Sequence, residues 1–129
     1  MRRMWDRGVL LIRNTAFEGY EDVPTWIVEG YSTTMHEVQN ELAQLGLAGS
    51  LMITPAGVGS FVHAVTKRCK SHSTSISVVS VEPDTAACLS SSVAAGKPVT
   101  VQTSSTIMNG KDCGTVSSAA WPDLQRLII

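Results

Sequence analysis

Four consecutive residues, Gly57, Val58, Gly59 and Ser60, are the part of this chain best suited to chemistry, and the chemistry is the binding of an anion. They join an apolar run, Leu51-Met52-Ile53, to an amphipathic run that opens at Phe61, so they stand at a strand-to-helix turn. Such a turn leaves backbone N–H groups unpaired at the positive end of a helix dipole, and a glycine pair lets an anion approach with no Cβ in its way. Phosphate is the guest those donors fit. Ser60 serves there as a phosphate ligand or helix cap rather than as a nucleophile. The order Gly57-Val58-Gly59-Ser60 is not the G-x-S-x-G elbow, and His63 on the same helix is poorly placed as a base for it. A dinucleotide fingerprint, G-x-G-x-x-G, is met only in part, because Val62 stands where the third glycine belongs. Glu82 does fall at the end of the next strand, where a ribose-binding acid would stand.

Asn14, Glu18 and Glu82 lie at or just beyond expected strand ends, the place where open α/β sheets hold their ligands, and Asn14 and Glu82 are carried forward as cleft residues. The plainer reading of each is a turn for Asn14, a solvated carboxylate for Glu18 and a local partner for Glu82. Cys69, Cys88 and Cys113 are odd in number, widely spaced and without a CxxC pair, which fits small, reduced thiols rather than a disulfide framework or a metal site.

The elements that must position these residues follow from periodicity. Gly8 to Ile12 suits a strand buried on both faces, and a loop through Glu18-Gly19-Tyr20 follows it. After Asp22 and Pro24, the residues Ile27, Tyr31, Met35, Val38, Leu42 and Leu45 recur at helical steps, and Gly46 closes the pattern. A strand over 50–54 leads through the glycine turn into a helix over 59–70, with Lys67, Arg68 and Lys70 at its negative end. Ile76 to Val81 is rich in β-branched residues and makes the next strand. Asp84 is expected to cap a helix containing Ala86, Ala87, Cys88, Leu89 and Val93, which Gly96 ends. Beyond Pro98 a short strand over 99–101, a loop over 103–114 and a helix from Ser117 are expected, with surface turns at 71–75 and 90–92. Strand and helix alternate, so the class is α/β, a parallel sheet with flanking helices and right-handed crossovers.

With 129 residues, 43% of them hydrophobic, the chain has material for one core, and residues 1–129 are taken as a single domain. Ten basic against eleven acidic residues leave a net charge of −1, which disfavours nucleic acid and anionic membrane as partners. The apolar run Val9-Leu10-Leu11-Ile12 is far too short for a signal-peptide core or a membrane span, so a soluble, cytoplasmic protein is expected.

Several ordered words extend this reading: Asn14-Thr15-Ala16-Phe17-Glu18-Gly19-Tyr20, Val23-Pro24-Thr25-Trp26-Ile27, Gly57-Val58-Gly59-Ser60, Val81-Glu82-Pro83-Asp84, Thr106-Ile107-Met108-Asn109-Gly110 and Asp112-Cys113-Gly114. Together they resemble the diaminopropionate ammonia-lyases, pyridoxal-phosphate enzymes of the tryptophan synthase β superfamily (fold type II), over about Gly8 to Leu124. The resemblance implies a truncated piece of that fold, an interior segment of a larger domain. It implies that Gly57, Val58, Gly59 and Ser60 hold the phosphate of pyridoxal 5'-phosphate, and that Glu82 and the Thr106 to Gly110 segment border the cofactor cleft. The family's reaction removes ammonia from 2,3-diaminopropionate and yields pyruvate, using a lysine that holds the cofactor and moves protons.

In the resembling family that lysine lies upstream of the segment matched here, and Lys67, Lys70, Lys97 and Lys111 do not match its motif. No catalytic residue is therefore assigned within the chain, and it is expected to be inactive as it stands. Asn14 occupies a position where the family has an acidic residue near the substrate amine, and Lys111 one where a small or apolar side chain is usual. A non-catalytic remnant or interaction module that keeps the phosphate loop, and a small dinucleotide-binding domain, are the other readings. An amino acid is the small-molecule partner the resemblance implies. A partial sheet would leave apolar surface open, which calls for a homo-oligomer or a companion segment.

Overall fold

The computed structural model describes residues 11–71 and 76–127. The expected strand at Gly8–Ile12 and turn at Ser71–Ser75 fall largely outside them; Leu11 and Ile12, which are described, carry no regular structure.

The first helix, α1, runs Asp22–Gln44 and buries Pro24, Val28 and Met35. It begins without a side-chain cap on its first amides; instead Thr25 bonds the Glu21 carbonyl with both its amide (3.0 Å) and its hydroxyl (2.8 Å). Its end is local chemistry. Gly46 takes φ +66°, its amide bonds the Ala43 carbonyl and the Leu47 amide bonds the Leu42 carbonyl, a Schellman closure that a residue with a Cβ adopts at a cost.

Strand β1 (Leu51–Pro55), helix α2 (Ser60–Ser71) and strand β2 (Ser77–Val81) form one parallel β-α-β unit, with Leu51 opposite Ser77, Ile53 opposite Val79 and Pro55 opposite Val81. Side chains alternate across the sheet. Met52 and Val78, with Ile76 and Phe61, pack around Met35 of α1 and Val65 and Cys69 of α2. The opposite face is open: Leu51 is 53% and Ile53 63% exposed, with Val79 and Val81 beside them.

After β2 comes a single 3-10 turn, Asp84–Ala86, and then α3, Cys88–Ala95, in place of one continuous helix from Asp84. The break falls at Ala87, whose φ −84° and ψ 60° are not helical. Asp84 lies inside that 3-10 turn, and the residues at the two N-cap positions, Pro83 and Ala87, make no side-chain cap. Gly96, at φ +67°, ends α3 by the same closure that ends α1. The 99–101 segment is not a strand; it is held by single bonds, Val99 amide to Ser92 Oγ (3.0 Å) and Val101 amide to the Gly114 carbonyl (2.9 Å). A turn through Ser117 to Ala120 then enters α4, Trp121–Leu127.

The second core lies between α2, α3 and α4, where Ala56, Val62, Cys88, Leu89, Val116, Ala120, Trp121 and Leu124 meet. Helix α2 thus has a core on each side, and only Lys67 and Lys70 of its described side chains are exposed. The helix that follows the glycine turn contributes to both cores. Among the described residues no helix is long and apolar enough to cross a membrane.

Candidate functional site

The glycine turn between β1 and α2 forms the floor of a cleft of about 410 Å³, within the range of small-molecule sites. Its walls come from three parts of the chain: Arg13, Asn14 and Thr15 from the segment before α1, Tyr31 from α1, and Gly110 to Thr115 from the loop after α3.

The peptide planes of the turn are fixed by their carbonyls. The Gly57 carbonyl accepts the Cys88 thiol (3.5 Å), the Val58 carbonyl accepts the Ser117 amide (2.8 Å) and the Gly59 carbonyl accepts the His63 amide (2.8 Å). The Ala56 amide is tied to the Val81 carbonyl at 2.8 Å. With the carbonyls held in the protein, the amides of Gly59, Ser60, Phe61 and Val62 donate to no main-chain carbonyl among the described residues. They are the orphan donors of a helix start, and the residues that carry them line the cleft.

Both glycines sit in close quarters, Gly57 against the 110–115 loop and Gly59, at positive φ, against α4. A methyl group placed on Gly57 would lie 3.1 Å from Cys113 Sγ and 3.6 Å from Lys111 Cδ. Gly59 has φ +95°, and a Cβ there would stand 3.0 Å from Leu124 Cδ1. The turn is therefore a bare backbone cradle pressed between the 110–115 loop and α4. Amides without a main-chain acceptor, missing Cβ atoms and a helix dipole are the features that suit an anion such as phosphate.

Ser60 and Asn14 are brought together, by way of the backbone. The buried Ser60 hydroxyl donates to the Asn14 carbonyl at 2.7 Å, which leaves its lone pairs rather than its proton facing other partners, while the Asn14 side chain is exposed on the cleft wall. The same strip is stitched to the far end of the chain, with the Ala16 amide donating to Ser117 Oγ (2.9 Å) and the Ser118 amide to the Ala16 carbonyl (3.2 Å). His63 is no base for Ser60, since its Nε2 sits 2.6 Å from Asp123 Oδ2. That pair clamps α2 to α4, with His63 Nδ1 buried and unpaired.

Glu82 is not among the residues lining this cleft. Its two carboxylate oxygens accept the Leu89 and Ser90 amides, each at 2.8 Å, so it is the anion that caps α3. The dinucleotide reading needed that carboxylate free at the cleft. Glu18, Lys67, Lys70 and Lys97 are exposed, whereas Lys111, for which a solvated position in the loop is equally expected, is half-buried on the cleft wall.

What the residues alone did not reveal is the loop after α3 folding over the turn. It brings Lys111, Asp112 and Cys113 into the wall, and the ordered word Asp112-Cys113-Gly114 was the signal for it. Gly114 has its own reason there, because a Cβ would meet the Val101 carbonyl oxygen at 2.9 Å. Burial pushes the Cys113 thiol up from its ordinary value, helped by the Asp112 carboxylate. Burial likewise pushes Cys88 up to about 11, with Glu82 and Cys113 adding to it. Both sulfurs are neutral near pH 7, so they neither repel an anion nor act as nucleophiles.

The family described as pyridoxal-phosphate dependent enzyme matches this chain over residues 9–129. Diaminopropionate ammonia-lyase of Salmonella typhimurium is 36% identical over 122 residues, covering 90% of this chain and 30% of its own length. The enzyme of the same name from Escherichia coli strain K12 is 30% identical over 128 residues, covering 97% of this chain and 32% of its own length. The crystal structure of selenomethionine-substituted holo diaminopropionate ammonia-lyase from Escherichia coli superposes with a TM-score of 0.87 at 31% identity, over 99% of this chain and 32% of that one. The chain thus spans about a third of the length of the relatives it matches.

Proposed function

The chain belongs to the pyridoxal-phosphate dependent enzymes, and from that premise we propose that its cleft seats the phosphate of pyridoxal 5'-phosphate on the turn Gly57-Val58-Gly59-Ser60. The observation that carries this is the polarity of the turn: three carbonyls are bonded into the protein, which leaves the amides of Gly59 to Val62 for a ligand. The Ser60 hydroxyl ties the seat to the strip at Asn14, which is part of the cleft wall.

The wider activity we propose is that of a diaminopropionate ammonia-lyase, the elimination of ammonia from 2,3-diaminopropionate to give pyruvate. It is supported by the similarity to enzymes of that name across nearly all of this chain. When bound, the cofactor supplies an electron sink for elimination from an amino acid. These residues contribute the phosphate seat and one wall of the cleft. The open sheet face at Leu51, Ile53, Val79 and Val81 fits a layer from the remainder of a longer polypeptide, since parallel sheets are covered on both faces.

A titration of the 129-residue chain with pyridoxal 5'-phosphate and with pyridoxal, followed by absorbance with and without borohydride, tests the seat. A pyruvate assay on 2,3-diaminopropionate accompanies it. The expected result is clear preference for the phosphorylated compound and no pyruvate. Equal binding of the two compounds, or tighter binding of a dinucleotide, would overturn the assignment of the turn. Pyruvate release with a borohydride-fixed adduct would show that one of Lys67, Lys70, Lys97 and Lys111 does serve the chemistry.

A further inference from the structure

Lys111 is the half-buried cation among the residues that line the cleft. Its stem reaches the turn from the 110–115 loop, and Cδ would lie in ordinary van der Waals contact, 3.6 Å, with a methyl group on Gly57. The ammonium is two bonds further along a flexible stem, within about 3 Å of that point. The side chain is half-buried, and the ammonium forms no ion pair with a carboxylate among the described residues.

The other charges of the wall leave that role to Lys111. Arg13 holds its guanidinium carbon 5.9 Å from the centre of the Phe17 ring, and Asp112 is the single carboxylate among the lining residues. Glu82, whose charge also reaches the Cys88 and Cys113 thiols, is bonded to the start of α3. An anion resting on the turn amides would thus meet Lys111 as the half-buried cation of the lining, Arg13 being exposed with its guanidinium over the Phe17 ring.

Resting on the reading of the turn as a phosphate seat, we propose that Lys111 closes that seat as a charged ligand and makes the cleft selective for a phosphate monoester dianion. Backbone amides supply fixed partial charges; a lysine adds a full charge that follows the phosphate. Together they discriminate by charge as well as by shape.

The test compares the wild-type chain with Lys111→Ala and Lys111→Arg, titrated with pyridoxal 5'-phosphate and with pyridoxal at low and at high salt. Loss of one charge-assisted contact at a partly exposed site weakens binding by roughly ten-fold. Lys111→Ala should therefore bind the phosphorylated compound roughly ten-fold less tightly and lose much of the salt dependence, with pyridoxal unaffected. Lys111→Arg should retain most of the affinity. If wild type and Lys111→Ala bind pyridoxal 5'-phosphate equally, the role of Lys111 falls while the phosphate seat stands. If the wild type shows no preference for the phosphorylated compound, the seat itself falls and Lys111 with it. Equal weakening for both compounds would mark a change of shape and also overturn the proposal.

Discussion

Replacing Gly59 with alanine tests whether the turn is held by packing as well as by backbone preference. At φ +95° an L residue is strained by roughly 1–2 kcal/mol. The added Cβ would also stand 3.0 Å from Leu124 Cδ1, with Ala120 Cβ at 3.6 Å and Val116 Cγ1 at 3.7 Å. Leu124 is fully buried in the second core and has no solvent to move into, so overpacking adds roughly 1–3 kcal/mol. Together the loss is about 2–5 kcal/mol, against a total stability of roughly 5–15 kcal/mol for a domain. With a urea slope of about 1–3 kcal/mol per molar, the unfolding midpoint falls by on the order of 1–2 M. Gly46→Ala and Gly96→Ala are the controls: φ is +66° and +67°, and nothing lies within 4 Å of either added Cβ, so each should show only the backbone part. In a Leu124→Ala background the cost of Gly59→Ala should shrink toward those controls, because the opposing methyl is gone. If Gly59→Ala matches Gly46→Ala in the wild-type background, Leu124 does not brace the turn and the packing argument is wrong.

Three further outcomes follow from the same contacts. Glu82→Ala removes the acceptor of two amides at the start of α3 and should lower stability by about 1–2 kcal/mol in urea titrations, whereas Asp84→Ala should change it by less than about 0.5 kcal/mol; the reverse order would return the cap to Asp84. Ser117→Ala orphans the buried Ala16 amide and should cost roughly 1–3 kcal/mol, with faster proteolysis near residue 16 as the local readout; an unchanged midpoint and cleavage rate would show that the amide finds another partner. Cys88 has its folded pKa raised from 9.0 to about 11. A raised folded value contributes stability that is fully present below about pH 9 and is lost as pH rises through about 11, a loss of no more than about 2–3 kcal/mol. Urea midpoints of the wild type should therefore fall more steeply over that window than those of Cys88→Ala, and parallel curves would refute the assignment.

Local features were legible residue by residue. The stop signals at Gly46 and Gly96 work as expected, because a left-handed closure is decided by the few residues around it. The strand-turn-helix at 51–71 is likewise present, since its hydrophobic period and its glycines are contiguous in the chain. Asp84 misled for a related reason: it has the chemistry of a cap, but the chain turns once more before α3, and the carboxylate that reaches the first amides is Glu82.

What the sequence by itself determined is an α/β chain with a glycine turn leading from its first described strand into a helix, because periodicity, turn chemistry and ordered motifs all act over short spans. The tertiary structure decided which groups share the cleft with that turn. Ser60 meets the Asn14 carbonyl across 46 positions, Ala16 meets Ser117 across 101, and Lys111 reaches Gly57 only because the loop after α3 folds back over α2. Such partners are selected by the packing of distant segments around two cores, and no local pattern in the chain encodes which of several polar residues arrives there.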